Sequence, residues 1–316
     1  MKTKSILMII FAAATALMPV ACSSNDEQTA GSQQTPILLN STIAGNATRA
    51  AQGIQNTAFD TGENVYVQIN ETTADGTVVG SYVPLRFTTS ASGVMTPPAN
   101  TFPYFPVSGN PVTMWAVYPY AWAAGSVTTF TVETNQTDRS AYKRSDLMHA
   151  AVTTPVYKTD ITEAQPYIPL TFRHLLAKVN VTLTADNNDL IEGARVKLLG
   201  VRTKIDVDKE AGTLTPIDSD IENPTAEFLL ATPESGLTSS AAVIVPQTVS
   251  PGKFIEIRLQ NNDILNYRLL VNTPFEGGQS YTYTIKVSQS GISKVSTSVE
   301  PWGTDTDVIE GRTEIY

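Results

Sequence analysis

The sequence predicts an all-β protein whose strands pack as sandwiches, and three observations carry that reading. Segment after segment alternates apolar and polar residues with period two, the pattern of a strand with one buried face. Turn residues fall between these segments, as in Ala74-Asp75-Gly76, Ser250-Pro251-Gly252 and Glu276-Gly277-Gly278. No long window sustains a helical repeat, and only Thr159–Ala164 reads as a helical turn.

In chain order, the first element is a targeting segment. Lys2 and Lys4 form a basic start, and an apolar run from Ile6 to Met18 follows, too short for a comfortable membrane span. It closes on Pro19-Val20-Ala21-Cys22, which holds the sole cysteine of the protein. This stretch resembles a bacterial lipobox, although Pro19 stands where leucine is usual. The resemblance implies a signal peptide over residues 1–21, cut before Cys22, and acyl chains on Cys22 that anchor the protein in outer-membrane lipid. Several chains hold firmly, since each buried methylene contributes about 0.8 kcal/mol. Residues 22–35 read as a flexible tether, opening on the polar, acidic Ser23-Ser24-Asn25-Asp26-Glu27. Asp26-Glu27 also resembles an acidic surface-export tag, which places the protein at the cell surface. Removing Lys2 and Lys4 takes the net charge from −9 to −11.

The body then runs from strand to strand. Val65–Ile69, Thr113–Tyr118, Lys178–Leu183, Phe254–Leu259 and Tyr281–Val287 each put an apolar set on one face. With 316 residues, about two domains are expected. Pro155, Pro166 and Pro169 mark a break, giving an N-terminal domain over 36–165 and a C-terminal one over 166–316. Charged residues are only 16% and the balance is acidic, so the chain would repel phosphates, which excludes nucleic acid as a partner. One cysteine and two histidines leave no basis for an intrachain disulfide or a Cys/His zinc centre, and no metal or cofactor is expected.

Catalytic chemistry finds no foothold. His149 and His174 lie beside no nucleophile or carboxylate motif and read as hydrogen-bonded structural histidines. Asp206, Asp208 and Glu210 alternate, as do Asp218, Asp220 and Glu222; a calcium site is conceivable, and a solvated turn is the plainer reading. Trp115, Tyr118, Tyr120 and Trp122 cluster in one segment, with Trp115 reading as core and Tyr120 and Trp122 as a rim able to stack on sugar rings.

Three segments point further. Ser145-Asp146-Leu147-Met148 is followed by Pro169–Val181, with the spacing Phe172-x-His174-x-x-Ala177-Lys178-Val179, and late in the chain come Tyr281–Ile285 and Val299-Glu300-Pro301-Trp302-Gly303. Together they resemble the fimbrillin family of Bacteroidetes lipoproteins, the subunits of type V pili, over essentially the whole chain. The resemblance implies two transthyretin-like β-sandwich domains in tandem, no enzyme activity, other pilin subunits as partners, and proteolytic maturation by an external arginine-specific protease. The matching position here is Asn46-Ala47-Thr48-Arg49-Ala50, with the cut between Arg49 and Ala50.

Before Arg49 lies a strand whose one face carries Ile37, Leu39, Ser41 and Ile43. If it were clipped off, the sandwich would lose an edge and expose unpaired backbone groups. The C-terminal tail, residues 305–316, offers a donor strand. Its face Ile309, Gly311, Thr313 and Ile315 matches the displaced face position by position, with a hole where Leu39 was. The expected function is a shaft subunit polymerised by donor-strand exchange. An anchor would keep its lipid and need no cut, a tip would need no donor tail, and a surface glycan-binding lipoprotein would use the aromatics.

Overall fold

The computed structural model describes residues 34–44, 58–217, 226–229 and 239–302. Strands account for 54% of the described residues and helix for 7%, so the all-β expectation holds. The first part of the chain forms β1 (Leu38–Ile43), β2 (Asn64–Thr72), β3 (Val78–Ser81), β4 (Leu85–Thr89), β5 (Val94–Thr96) and β6 (Val112–Tyr118). A short helix α1 (Tyr120–Ala123), β7 (Thr129–Thr131), helix α2 (Arg139–Arg144), β8 (Met148–Val156) and β9 (Tyr167–His174) follow.

These strands close a ring. β2 pairs with β4, β4 with β5, β5 with β1, β1 with β9, β9 with β8, β8 with β6, and β6 returns to β2. Every pairing is antiparallel except β1–β9, which runs parallel. β3 adds to the far end of β2 as an outer strand. The inward residues form one apolar cluster that includes Ile37, Leu39, Ile43, Val65, Val67, Ile69, Phe87, Met114 and Ile168, Leu170, Phe172. The period-two pattern is what makes this possible, since alternate residues of each strand turn to the same side.

The second part contains β10 (Ala177–Ala185), β11 (Arg195–Val201), β12 (Lys204–Asp208), β13 (Thr213–Thr215), β14 (Ala226–Leu229), β15 (Ser239–Ile244) and β16 (Gln247–Val249). It ends with β17 (Gly252–Arg258), β18 (Ile264–Leu269), β19 (Thr273–Phe275), β20 (Gln279–Ser288) and β21 (Gly291–Pro301). Two four-stranded sheets, β15-β10-β20-β21 and β14-β11-β17-β18, contribute to a second apolar cluster. Val179 and Val181 come from one sheet and Leu198, Phe254 and Ile257 from the other.

Three expectations change. The break at residues 165/166 does not separate the strand sets, because β9 lies beyond it yet pairs with β1 and β8. β9 buries Ile168, Leu170 and Phe172 in the first cluster, and Pro169, read from sequence as punctuation, stands on the exposed face of that strand. β7, from before the break, pairs instead with β12. The strand before Arg49 is not at an edge, since β1 has a neighbour on each side. And the helix lies elsewhere than expected: Lys158–Asp160 makes a single 3-10 turn, whereas α2 forms because Asp138 caps it, its carboxylate accepting the Ser140 N–H at 2.9 Å.

Candidate functional site

The part of the fold most suited to a function is β1 and its place in the ring. Ile37, Leu39, Ser41 and Ile43 are 1%, 0%, 6% and 4% exposed, all on the inward face. Fully burying each apolar one stabilises the fold by about 1.5–3 kcal/mol. On one side Leu39 and Asn40 pair with Met95 and Val94 of β5; on the other, Leu38–Ile43 run parallel to Tyr167–Phe172. The ladder extends past both ends. The Ile37 N–H donates to the Pro103 carbonyl at 2.8 Å, and the Ala44 N–H to the Phe172 carbonyl at 2.6 Å. Ser41 binds Gly93 twice, its N–H at 2.7 Å and its hydroxyl at 3.0 Å from the same carbonyl.

β1 carries no charge and has one flaw. The Asn40 side-chain Oδ1 is buried without a hydrogen-bond partner. That oxygen packs onto Gly93, whose φ of +83° and missing side chain allow the approach; a Cβ there would come within 2.4 Å. A buried unsatisfied oxygen costs about 1–3 kcal/mol. Thus β1 is firmly held by its apolar face and imperfectly held by its polar one.

The chain around β1 is equally relevant. The described residues stop at Ala44 and resume at Ala58, and Arg49 and Ala50 fall in the stretch between. A cut anywhere in that stretch severs β1 from β2. Arg49, Ala50, the lipidation candidate Cys22 and the tail positions Ile309, Gly311, Thr313 and Ile315 all lie outside the described residues, as do Asp218, Asp220 and Glu222.

The other sequence candidates have structural employment. His174 is buried with its Nδ1 2.8 Å from Asp146 Oδ1, and its ring stacks on Trp302 at 3.9 Å with a 3° interplanar angle. The Lys178 ammonium lies 5.9 Å over the same indole. The three segments that carry the fimbrillin resemblance therefore converge on one buried node between the two apolar clusters. Asp146 Oδ2 and His174 Nε2 are buried there without a hydrogen-bond partner. His149 faces the β12–β13 turn, its Nε2 3.0 Å from the Glu210 carbonyl, and burial pushes its imidazole pKa down. Asp206 accepts the Thr129 hydroxyl, and Asp208 caps its turn by accepting the Glu210 and Ala211 N–H groups. Trp122 is not a free rim: its indole N–H donates to the Thr129 carbonyl at 3.0 Å and Lys209 lies 4.6 Å over its ring. Trp115 stacks on Tyr66 at 5.3 Å, and both are half-buried.

An ion-pair cluster, unremarked in the sequence, fixes α2 to the ring. Lys143 bridges Asp60 at 2.5 Å and Glu63 at 2.6 Å, and Arg139 reaches Asp60 at 2.9 Å. Burial pushes the Asp60 carboxyl up, and the hydrogen bonds from Lys143 and Arg139 outweigh it, leaving its pKa below the usual carboxylate value. Arg139 lies 79 residues from Asp60 and Lys143 lies 80 from Glu63 in the chain, so no local pattern announces the cluster.

Comparison with known proteins bears on the whole chain. The model of the fimbrillin-like family matches residues 48–302. The chain is 25% identical over 312 residues to a Bacteroides uniformis protein named "Putative fimbrium subunit Fim1C", covering 96% of each. Among solved structures, a "putative cell adhesion protein" from Bacteroides uniformis aligns with TM-score 0.63 and 21% identity over 84% of this chain and 98% of that one. A Bacteroides ovatus protein of the same description gives 0.64 and 16%, over 85% and 98%. The tip fimbrial protein Mfa3 of Porphyromonas gingivalis gives 0.50 and 11%, over 85% and 100%. These structures share the fold. With the family model spanning most of the sequence and ending on Trp302 of the buried node, the chain belongs to the fimbrillin-like family.

Proposed function

We propose that this protein is a structural shaft subunit of a cell-surface fimbrium, not an enzyme. It is exported as a lipoprotein through Cys22, matured by an external arginine-specific protease after Arg49, and polymerised with other pilin subunits by donor-strand exchange. The observation that carries the reading is the position of β1. It is an inner strand of a closed ring, fully buried on its core face, and joined to the rest of the chain through the segment that contains Arg49.

Once severed, β1 can leave, and its departure opens a slot with a free backbone edge on β5 and another on β9. Such edges and the apolar floor between them demand another strand. The tail face Ile309, Gly311, Thr313 and Ile315 supplies one from the next subunit. Since donor and acceptor are different surfaces of the same molecule, the contact is head-to-tail and does not close, so it grows a filament.

The test is genetic and chemical together. Arg49→Ala should leave full-length, lipidated protein on the membrane with no filaments, and truncation after Trp302 should leave processed, folded monomers. Protein sheared from wild-type cells should begin at Ala50 by terminal sequencing. Normal filaments from either variant would overturn the scheme.

A further inference from the structure

Large apolar side chains are exposed beside the loop between β5 and β6. Val78, Val79 and Val83 on and after β3, and Phe102, Tyr104 and Val107 on the loop between β5 and β6, are six of the large exposed apolar residues. The Tyr82 hydroxyl, beside Val83, donates to the Tyr104 carbonyl at 2.7 Å and ties the chain after β3 to the loop. The loop is braced at its far end, where the Glu71 carboxylate accepts from Ser108 and from Asn110, each at 2.7 Å. A cleft of about 410 Å³ runs through the patch, lined by Gln34, Glu71 and Tyr82 together with residues 102–108. Exposed apolar side chains gathered around a cleft, here Phe102, Tyr104 and Val107, mark a contact site.

Its place in the fold identifies the contact. The same loop pairs with the residues leading into β1: the Phe105 N–H donates to the Thr35 carbonyl at 2.9 Å, and Pro36 bridges to Tyr104. The patch thus frames the Ile37 end of the β1 slot. The direction in which a replacement strand runs follows from Ser41. Laid in the direction of β1, the tail sets Thr313 where Ser41 donates its hydroxyl to Gly93; laid in reverse, it sets Thr313 in the fully buried position of Leu39, with no acceptor there for the hydroxyl. The forward direction leaves Ile309 at the Ile37 end. In the donor, Trp302 is fixed by its N–H on Gly278 at 2.7 Å and by its stack on His174. Six residues lie between Trp302 and Ile309, and the seven steps span at most about 25 Å. The body of the donor must therefore lie against the end of the ring where the patch is.

We propose that this patch is the docking surface for a second copy of the chain, the one whose tail fills the β1 slot. The inference rests on the donor-strand reading and adds to it a body-to-body contact.

The test separates the two. Val83 and Val107 are 80% and 83% exposed, so a Val83→Glu, Val107→Glu double variant keeps its fold. Protein without its signal peptide is cleaved with an arginine-specific protease, and filament growth is followed by sedimentation and electron microscopy. Binding of a synthetic peptide of residues 303–316 to the cleaved subunit is measured in parallel. The variant should bind the peptide as wild type does while its assembly falls about tenfold or more. Unchanged assembly with intact peptide binding would overturn the docking surface. So would loss in the variant of wild-type binding to phosphatidylethanolamine–phosphatidylglycerol vesicles with assembly unaffected, which would assign the patch to lipid. Failure of the peptide to bind wild-type cleaved protein would remove the donor-strand reading itself, and the docking surface with it.

Discussion

Leu39→Ala in the uncleaved chain tests whether β1 can leave as a unit. Leu39 is wholly buried, paired with Met95 and Ile168 across the two ladders. Truncating such a leucine costs about 2–5 kcal/mol, through lost transfer energy and the cavity left behind. If β1 detaches while the rest of the ring stays folded, that cost falls on the β1-bound state alone. The β1-free population then rises about 30-fold at the low end and about 4,000-fold at the high end. The assay is uptake of a fluorescent peptide of residues 303–316 by uncleaved protein, alongside a urea titration. Leu198→Ala is the control, since Leu198 is equally buried but belongs to the second cluster. Both variants should lose stability, and only Leu39→Ala should speed peptide uptake. After cleavage at Arg49 the Leu39→Ala protein should still take up the peptide faster than cleaved wild type, because the severed strand is held in its slot by the same contacts less those of the leucine. Equal uptake by both variants would mean that exposure follows global unfolding, and the idea of a separable strand would fail.

Two further predictions concern the groups around the ring. Asp146→Ala should lower the urea midpoint by an amount equivalent to about 1–3 kcal/mol, because it strands the buried His174 Nδ1, and Asp146→Asn should cost less because it keeps an oxygen there. The Asp60 carboxyl lies below its ordinary value of 3.8, so the stability it contributes is present above that value and is lost as the pH falls through its lowered pKa; replacing Lys143 with Met should flatten that acid limb in urea titrations run from about pH 5 downward.

Much of the fold was legible. Val65–Ile69, Thr113–Tyr118, Lys178–Leu183, Phe254–Leu259 and Tyr281–Val287 fall in β2, β6, β10, β17 with its adjoining Leu259, and β20, because a half-buried strand writes its period into the sequence. The Ile37, Leu39, Ser41, Ile43 face was legible for the same reason. Its neighbours were not. β1 pairs in parallel with β9, well over a hundred residues away, and a parallel partner leaves no hairpin turn to announce it. Pro169 misled because proline usually punctuates, whereas here its nitrogen faces away from β1 and its missing N–H breaks no bond of that ladder. The aromatic–proline run Phe102-Pro103-Tyr104-Phe105-Pro106 carries a visible signal, but whether such a run is core or surface depends on the loop's bracing by Glu71, which only the fold reveals. The convergence of Asp146, His174 and Trp302 was legible as three separate segments and illegible as one node.

The proposed role of the cut follows from the arithmetic of tethering. While the 45–57 link is intact, β1 competes for its slot as an intramolecular ligand, at an effective concentration in the millimolar range that a neighbour's tail does not reach. Cleavage within that link leaves the contacts of β1 unchanged and removes only the tether, so β1 and the tail meet as two dissociable strands. The comparison between them then turns on side chains. β1 has Leu39, which fills its site, and Asn40, whose buried oxygen has no partner. The tail has Gly311 in the first place, losing the leucine's contacts, and Arg312 in the second, which carries donors only and so puts no acceptor oxygen beside Gly93. The two strands are thus close enough in fit that a body-to-body contact at the mouth of the slot can decide which one stays. That is why the patch around Phe102 and Val107 matters to assembly more than its area suggests: a whole neighbouring subunit can cover it, whereas the severed strand reaches the loop only through Thr35–Ile37.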